Sequence, residues 1–292
     1  MILFDGSKKV FKGNLHVHTT CSDGHKTPEE VIELYRSHGY DFLAITDHRK
    51  VAVPTQMPDG ITVLGGVEFD YNLPGQVIHI VGAGVGESIA AEHNVAFGPQ
   101  DAIDRINACG GFSILAHPSW SLNTPAIMSG LRNVGGCEIY NTMSGLPWNA
   151  DRADSSVLLD ECFTAGCYFR LVATDDAHFY TGEACRSYTM VAAESREPQD
   201  LLAGLRAGNF YASQGPEIKL FERVGDSLHI VCSPVDTICF MSDLPWSGKR
   251  VVRGDGLTEA TYDLVLKRNE RYVRVLLIDK NGNRAWTSPV VL

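Results

Sequence analysis

The sequence predicts an α/β fold followed by a small antiparallel β unit. Up to about Ser213, short apolar runs alternate with amphipathic helical patterns. Those runs are continuous, as in strands of a parallel sheet covered by helices on both faces. After Gly215-Pro216 the texture changes to alternation with period two, without a helical pattern.

In the first part, strands are expected at Asn14–Thr19, Asp41–Thr46, Ile61–Phe69, Val77–Val85, Phe112–Ala116, Cys137–Tyr140, Tyr168–Ala173 and Tyr188–Ala193. Helices are expected at Pro28–His38, Pro99–Cys109, Pro125–Arg132, Asp151–Ala165 and Pro198–Ala207. Thr27-Pro28-Glu29-Glu30 combines a capping box with proline at the first helical position, and Gly39 suits the residue after the helix end. In the second part, strands are expected at Ile218–Leu220, Leu228–Ser233, Thr237–Ser242, Thr261–Leu266 and Tyr272–Asp279, with a hairpin turn at Lys280-Asn281-Gly282-Asn283. The boundary near Ser213–Glu217 divides the chain into residues 1–214 and a small β-sandwich-like domain over 215–292. Trp246 and Trp286 are expected in that small core or in the contact between the two parts.

Composition narrows the function classes. The 292 residues carry a formal net charge of -10 and no basic stripe, so no nucleic-acid partner is expected. No apolar run approaches about 18 residues, so no membrane partner is expected. Met1 to Lys12 lacks the apolar core of a signal peptide, which points to the cytoplasm. The eight cysteines are scattered without a C-x-x-C pair, the pattern of reduced, mostly buried thiols rather than a thiolate zinc site.

The chemistry concentrates at strand ends. His16-Val17-His18 places two imidazoles on one face of the expected strand Asn14–Thr19, half of a metal site. Cys21-Ser22-Asp23-Gly24 adds a carboxylate in a turn. Leu43-Ala44-Ile45-Thr46-Asp47-His48 ends an apolar strand in an acid and a histidine. Glu68 ends another, His79 sits within Val77–Val81, and His117 follows Phe112–Ala116. Thr174-Asp175-Asp176-Ala177-His178 repeats the carboxylate and imidazole two residues apart. Six histidines and three acids at such positions point jointly to a metal site, because chance placement would scatter them over helices and loops. His25, His38, His93 and His229 read as solvated or structural.

This constellation resembles the PHP (polymerase and histidinol phosphatase) superfamily over residues 12–213. Leu15–Thr19 with Ser22-Asp23-Gly24 is similar to its first motif and Thr46-Asp47-His48 to its second. Leu115-Ala116-His117-Pro118 is similar to the third, and Asp176-Ala177-His178 to the last. The resemblance implies a distorted (β/α)7 TIM-like barrel with metals at the C-terminal strand ends. It also implies two or three divalent ions, manganese, iron or zinc. His16, His18, Glu68 and Asp176 would hold one, Glu68, His79 and His117 a second, and Asp23, His48 and His178 a third. Either Asp175 or Asp176 could be the ligand, with strand alternation favouring Asp176, and Asp47 would orient a neighbour. About 50 residues separate Glu68 from His117, too few for a large insert, and the C-terminal β unit looks closer to the carbaryl-hydrolase-like CehA/McbA branch.

The implied reaction is hydrolysis of phosphate mono- or diesters of small molecules by a metal-activated hydroxide. Asp176 and His178 are the catalytic candidates for proton movement, and Arg186 and Arg49, with Lys50, the candidate phosphate contacts. The same centre could instead cleave a carboxyl ester, amide or carbamate. A metal-stabilised binding module is the third reading, to which loss of a ligand position would point.

Overall fold

The computed structural model describes residues 1–52, 59–91 and 97–292, so His93 lies outside the described residues. The chain forms a mixed α/β fold. Its first part contains β1 (Ile2–Asp5), β2 (Val10–Asn14), α1 (Pro28–Ser37), β3 (Phe42–Ile45), β4 (Thr62–Leu73), β5 (Gln76–Ala83) and α2 (Ser88–Ala91). Then come α3 (Pro99–Ala108), β6 (Phe112–Leu115), α4 (Pro125–Met128), β7 (Gly136–Asn141), α5 (Ser156–Thr164), β8 (Leu171–Thr174), β9 (Tyr188–Ala192), α6 (Pro198–Ala207) and β10 (Phe210–Ser213). The remainder is β11 (Ile218–Val224), β12 (Ser227–Ser242), β13 (Val251–Asp263), β14 (Tyr272–Ile278), β15 (Arg284–Trp286) and β16 (Val290–Val291).

Among the described residues, parallel pairing between strands falls in two blocks, β2-β3-β4 and β6-β7-β8. Between them β5 runs antiparallel to both neighbours, which departs from the wholly parallel expectation. The cause is local: Pro74-Gly75 joins β4 to β5, with Gly75 at φ +78°, and so short a turn leaves no room for a crossover. On the other flank β9 pairs antiparallel with β2, and β10 with β9.

The second part is antiparallel throughout. β12 pairs with β11, β13 and β14, and β15 pairs with both β14 and β10, so the sheet runs on between the two parts. β1, which the sequence pattern does not signal, pairs with β11. The turn at 280–283 joins β14 to β15, with Asp279 Oδ1 accepting from the amides of Asn281 (2.8 Å) and Asn283 (2.9 Å). A short 3₁₀ turn at Leu266–Arg268 is helical structure that the alternation does not predict.

Helix boundaries follow local chemistry. The Thr27 hydroxyl accepts from the Glu30 amide (3.3 Å) and the Glu30 carboxylate from the Thr27 amide (2.8 Å), completing the expected capping box. α4 stops at Met128, four residues short of its expected end, and α5 starts at Ser156, because Tyr140 and Asp154 bridge in the segment before it.

The first core lies beneath these helices and is built from residues such as Val67, Ile80, Ile103, Leu115, Leu159 and Phe163. A second core, around Phe221, Ile230, Ile238, Phe240 and Leu277, fills the antiparallel part. Between them, the buried Arg274 of β14 grips Asp160 of α5 with two hydrogen bonds of 2.8 and 2.7 Å. Trp286 is buried there and stacks on Tyr140 at 5.8 Å, whereas Trp246 is 72% exposed and fills no core.

Candidate metal centre

Backbone pairing at one end of the strands assembles the site. β2 ends at Asn14, so His16 and His18 lie beyond it rather than on it, in an extended segment with a single parallel bridge, Val17 to Ala177. The His18 amide donates to the Ala177 carbonyl (3.0 Å) and the Asp176 amide to the His16 carbonyl (2.9 Å). The first and last acid–histidine motifs therefore share one seam. His48 bridges Glu68 in the same way. His117 and Asp176 have positive φ, 31° and 54°, a costly backbone for non-glycine residues that aims both side chains inward. Gly24 is required by space, since a Cβ there would lie 2.4 Å from the His18 carbonyl oxygen.

All nine residues expected as metal ligands come together. Their ligand atoms form three overlapping groups: His16, His18, Glu68 and Asp176; Glu68, His79 and His117; and His18, Asp23, His48 and His178. Glu68 Oε2 lies 3.3 Å from His16 Nε2 and 3.1 Å from His18 Nε2, while Oε1 lies 2.8 Å from His79 Nδ1 and 3.4 Å from His117 Nε2. Asp176 Oδ1 lies 3.1 and 3.2 Å from the same His16 and His18 nitrogens. Asp23 reaches His18, His48 and His178 at 3.5 to 3.6 Å. The sequence pattern does not anticipate that His18 borders two groups.

These donors fit divalent ions. Three histidines have Nδ1 engaged outside the cluster: His16 with Glu138 (2.8 Å), His117 with the Ser121 hydroxyl (2.8 Å) and His178 with the Asp176 carbonyl (2.7 Å). In the neutral ring each then turns a lone pair on Nε2 inward. Asp176 Oδ1 and His48 Nδ1 are buried without a hydrogen-bond partner. Converging lone pairs with orphaned polar atoms are repulsive until a cation joins them, and N and O donors of this kind suit divalent ions.

The charges respond accordingly. Burial alone would depress the His16 and His18 imidazoles. The carboxylates of Asp176 and Glu68, joined by Glu138 at His16, outweigh it, lifting His16 well above its usual value and His18 to about 9. Burial would raise the Asp176 and Glu68 carboxyls, and the surrounding imidazoles instead hold both far below the usual range.

Three further acids stand behind the cluster. Asp47 accepts from the Thr19 amide (2.8 Å) and hydroxyl (2.7 Å) and from the Ser22 hydroxyl (2.6 Å), fixing the turn that carries Asp23. Glu138 holds His16, the His117 amide (2.7 Å), Thr174 (2.7 Å) and Asn141 (2.7 Å). Motif reading misses Glu138, although an acid inside the apolar run Cys137–Tyr140 was a signal. Asp175 turns away from the cluster. It takes the amides of Cys185 (2.8 Å), Arg186 (3.0 Å) and Ser187 (2.7 Å), and burial pushes it up to about 6.

A cavity of about 240 Å³ opens onto the cluster, walled by Trp120, Met143, Ser144 and Asn149 besides the metal-site residues. Neither expected arginine lies on that wall among the described residues. Arg49 pairs with Asp70 (2.9 Å), and Arg186 lines a neighbouring cavity. Elsewhere His25 and His38 are exposed, and His229 pairs with Glu222 at 3.2 Å. All eight cysteines are free, but only Cys137, Cys162 and Cys232 are fully buried.

No protein-family model matches the chain. Over 86 residues it is 38% identical to a phosphoribosyl 1,2-cyclic phosphate 1,2-diphosphodiesterase of Eggerthella lenta, covering 27% of this chain and 32% of that one. Over 76 residues it is 37% identical to a 5'-3' exoribonuclease of Haemophilus influenzae, covering 24% of this chain and 28% of that one. The chain thus spans about a third of the length of the curated relatives it matches. Along its whole length the fold is similar to a two-domain protein of Bacteroides vulgatus containing a predicted PHP-like metal-dependent phosphoesterase. That likeness has a TM-score of 0.55 and 15% identity, and covers 99% of this chain and 98% of that one.

Proposed function

We propose that the chain hydrolyses phosphate mono- or diesters of small molecules with two or three divalent ions, manganese, iron or zinc. The observation that carries this reading is the convergence of nine N and O donors whose lone pairs need cations. His16, His18, Glu68 and Asp176 would hold one ion, Glu68, His79 and His117 a second, and Asp23, His48 and His178, bordered by His18, a third. Bound there, divalent ions supply an activated water and charge neutralisation for a phosphoryl group. The chain's own residues do the rest. Glu138 and Asp47 set the rings and the Asp23 turn. With only two ions bound, His178, 16% exposed on the cavity wall, would keep Nε2 free to hand a proton to a leaving oxygen, a role that a third ion on Nε2 would remove, while Asp176 is enclosed and positions its neighbours.

The fold supports the same reading. We take the strands β2 to β8 with β9 as a distorted (β/α)7 barrel, drawn together at the site by the Val17–Ala177 bridge, in a hydrolase unit over 1–214 beside a β unit over 215–292. The compact path from Glu68 to His117 supports a place near the CehA/McbA branch. No described helix is long and apolar enough to cross a membrane, and eight free thiols favour a reducing, cytoplasmic setting. A wall of Trp120 and Met143 with no arginine or lysine among the described residues also suits a neutral ester or carbamate, which is the second reading.

Phosphate or alcohol release from a panel of phosphate mono- and diesters and carboxyl esters tests both, with manganese or chelator, for wild type and His16→Ala. Metal-dependent turnover of a phosphate ester, lost in the variant, is expected. Turnover of carboxyl esters alone, with metals bound, would transfer the reading to the carbonyl hydrolase.

A further inference from the structure

We propose that the cavity beside the metal pocket is a second small-molecule site, shaped for an anion carried on a flat ring. At about 520 Å³ it is larger than the metal pocket. The two are separated by the segment after β7: Met143, Ser144 and Asn149 face the metals, whereas Thr142, Gly145 and Trp148 face the second cavity. The neighbouring acids divide likewise, Asp176 toward the cluster and Asp175 toward the amides of Cys185 and Arg186 on the second cavity's wall.

Charge gives the sign of the ligand. Lys12 and Arg186 both line the cavity, and neither forms an ion pair among the described residues. The one acid on that wall among the described residues, Asp151, is exposed. Lys12 Nζ lies 4.0 Å from the Tyr40 ring centre and 4.5 Å from that of Tyr188 and donates to the His38 carbonyl (3.4 Å); burial lowers its pKa more than the nearby Cys185, Asp175 and Asp41 raise it, and no carboxylate pairs with it directly among the described residues. The Arg186 Nε donates to the Gly182 carbonyl, and the guanidinium carbon lies 5.6 Å from the Trp148 ring centre, leaving the remaining N–H groups for an anion.

The half-buried rings of Trp148, Tyr140 and Tyr188 give the wall flat aromatic surfaces, and Gln214 and Thr142 add neutral hydrogen-bonding groups. Small-molecule sites combine this kind of wall with a few convergent polar groups. The assignment is independent of the reaction at the metals.

Phenylphosphonate, whose carbon–phosphorus bond resists hydrolysis, is the probe, read by tryptophan fluorescence of the metal-loaded full chain. A saturable change is expected that Trp148→Phe removes. Lys12→Met weakens it about tenfold, the loss of one charge-assisted contact, and Lys12→Arg restores it. Arg186→Gln is the second charge variant should Lys12→Met not fold. A change that persists in Trp148→Phe but is lost in Trp120→Phe comes from beside the metals and overturns the proposal. Indifference to loss of either cation overturns it too, as does the absence of saturable binding. Inorganic phosphate binding as tightly as phenylphosphonate would overturn the flat-ring assignment.

Discussion

The inner ring of the site and the shell behind it use the same residue types in opposite ways. In the ring, Glu68 and Asp176 face imidazole nitrogens, most of them 3.1 to 3.4 Å away. In the shell, Asp47, Glu138 and Asp175 accept from hydroxyls, amides and the outward nitrogen of His16, mostly at 2.6 to 2.8 Å. The ring is thus an assembly of acceptors short of cations, while the shell is hydrogen-bonded without them. Removing a ring residue should remove chemistry. Removing a shell residue should loosen geometry and only weaken the proposed reaction.

The largest effect sharpens this division. Glu68→Gln takes away the acid common to two of the ligand groups, and on the proposed reaction phosphate-ester turnover should fall by about 10³-fold or more at saturating manganese. Retained turnover with ions at full occupancy would place the chemistry elsewhere. Metal removal comes next. His18 is raised to about 9 from an ordinary 6.5, so in the chelated protein its contribution to stability is fully present below about pH 6.5 and is lost as pH rises through about 9. Urea unfolding of chelated protein should therefore lose on the order of 2–3 kcal/mol between pH 6.5 and 9. Metal-loaded protein should hold steady over that window, because ions replace the protons. Equal pH slopes with and without metal would break the contrast between ring and shell.

Glu138→Gln acts through His16 and the His117 amide rather than on an ion directly. Manganese affinity should drop about 10- to 100-fold, with turnover recovering at high metal. Calorimetric titration checks it, and an irreversible loss like that of Glu68→Gln would move Glu138 into the ring.

Much of the ring was legible in the sequence because its members come as local pairs at strand ends. His16-Val17-His18 and Asp176-Ala177-His178 each announce a direction as well as a residue type, and His48 follows the shell acid Asp47 at a strand end. Glu138 offered only a lone acid in an apolar strand, and its partners His16 and Thr174 lie far away in sequence. The side on which Arg186 falls was not legible either. It depends on how the segment from Thr142 to Asn149 divides two cavities, a matter of tertiary packing. The strand order failed for the opposite reason. The Pro74-Gly75 turn that reverses β5 was in plain view, but two apolar runs read equally well as parallel neighbours. β1 was hidden because its partner β11 lies more than 200 residues along the chain.

The smallest effect probes the shell at its most redundant point. The Tyr35 hydroxyl donates to Asp175 Oδ2 at 2.8 Å, an oxygen that also takes the Asn14 side-chain amide (2.7 Å) and the Cys185 amide (2.8 Å). Tyr35→Phe removes one donor of several and leaves the ring volume in place. The carboxylate stays satisfied, so the cost should be about 1 kcal/mol of stability with little change in manganese affinity. Denaturant midpoints and metal titration on the same variant separate the two readouts. A loss of metal affinity comparable to that of Glu138→Gln would mean that Asp175 transmits to Asp176 through the chain, and that ring and shell act as one unit at this corner.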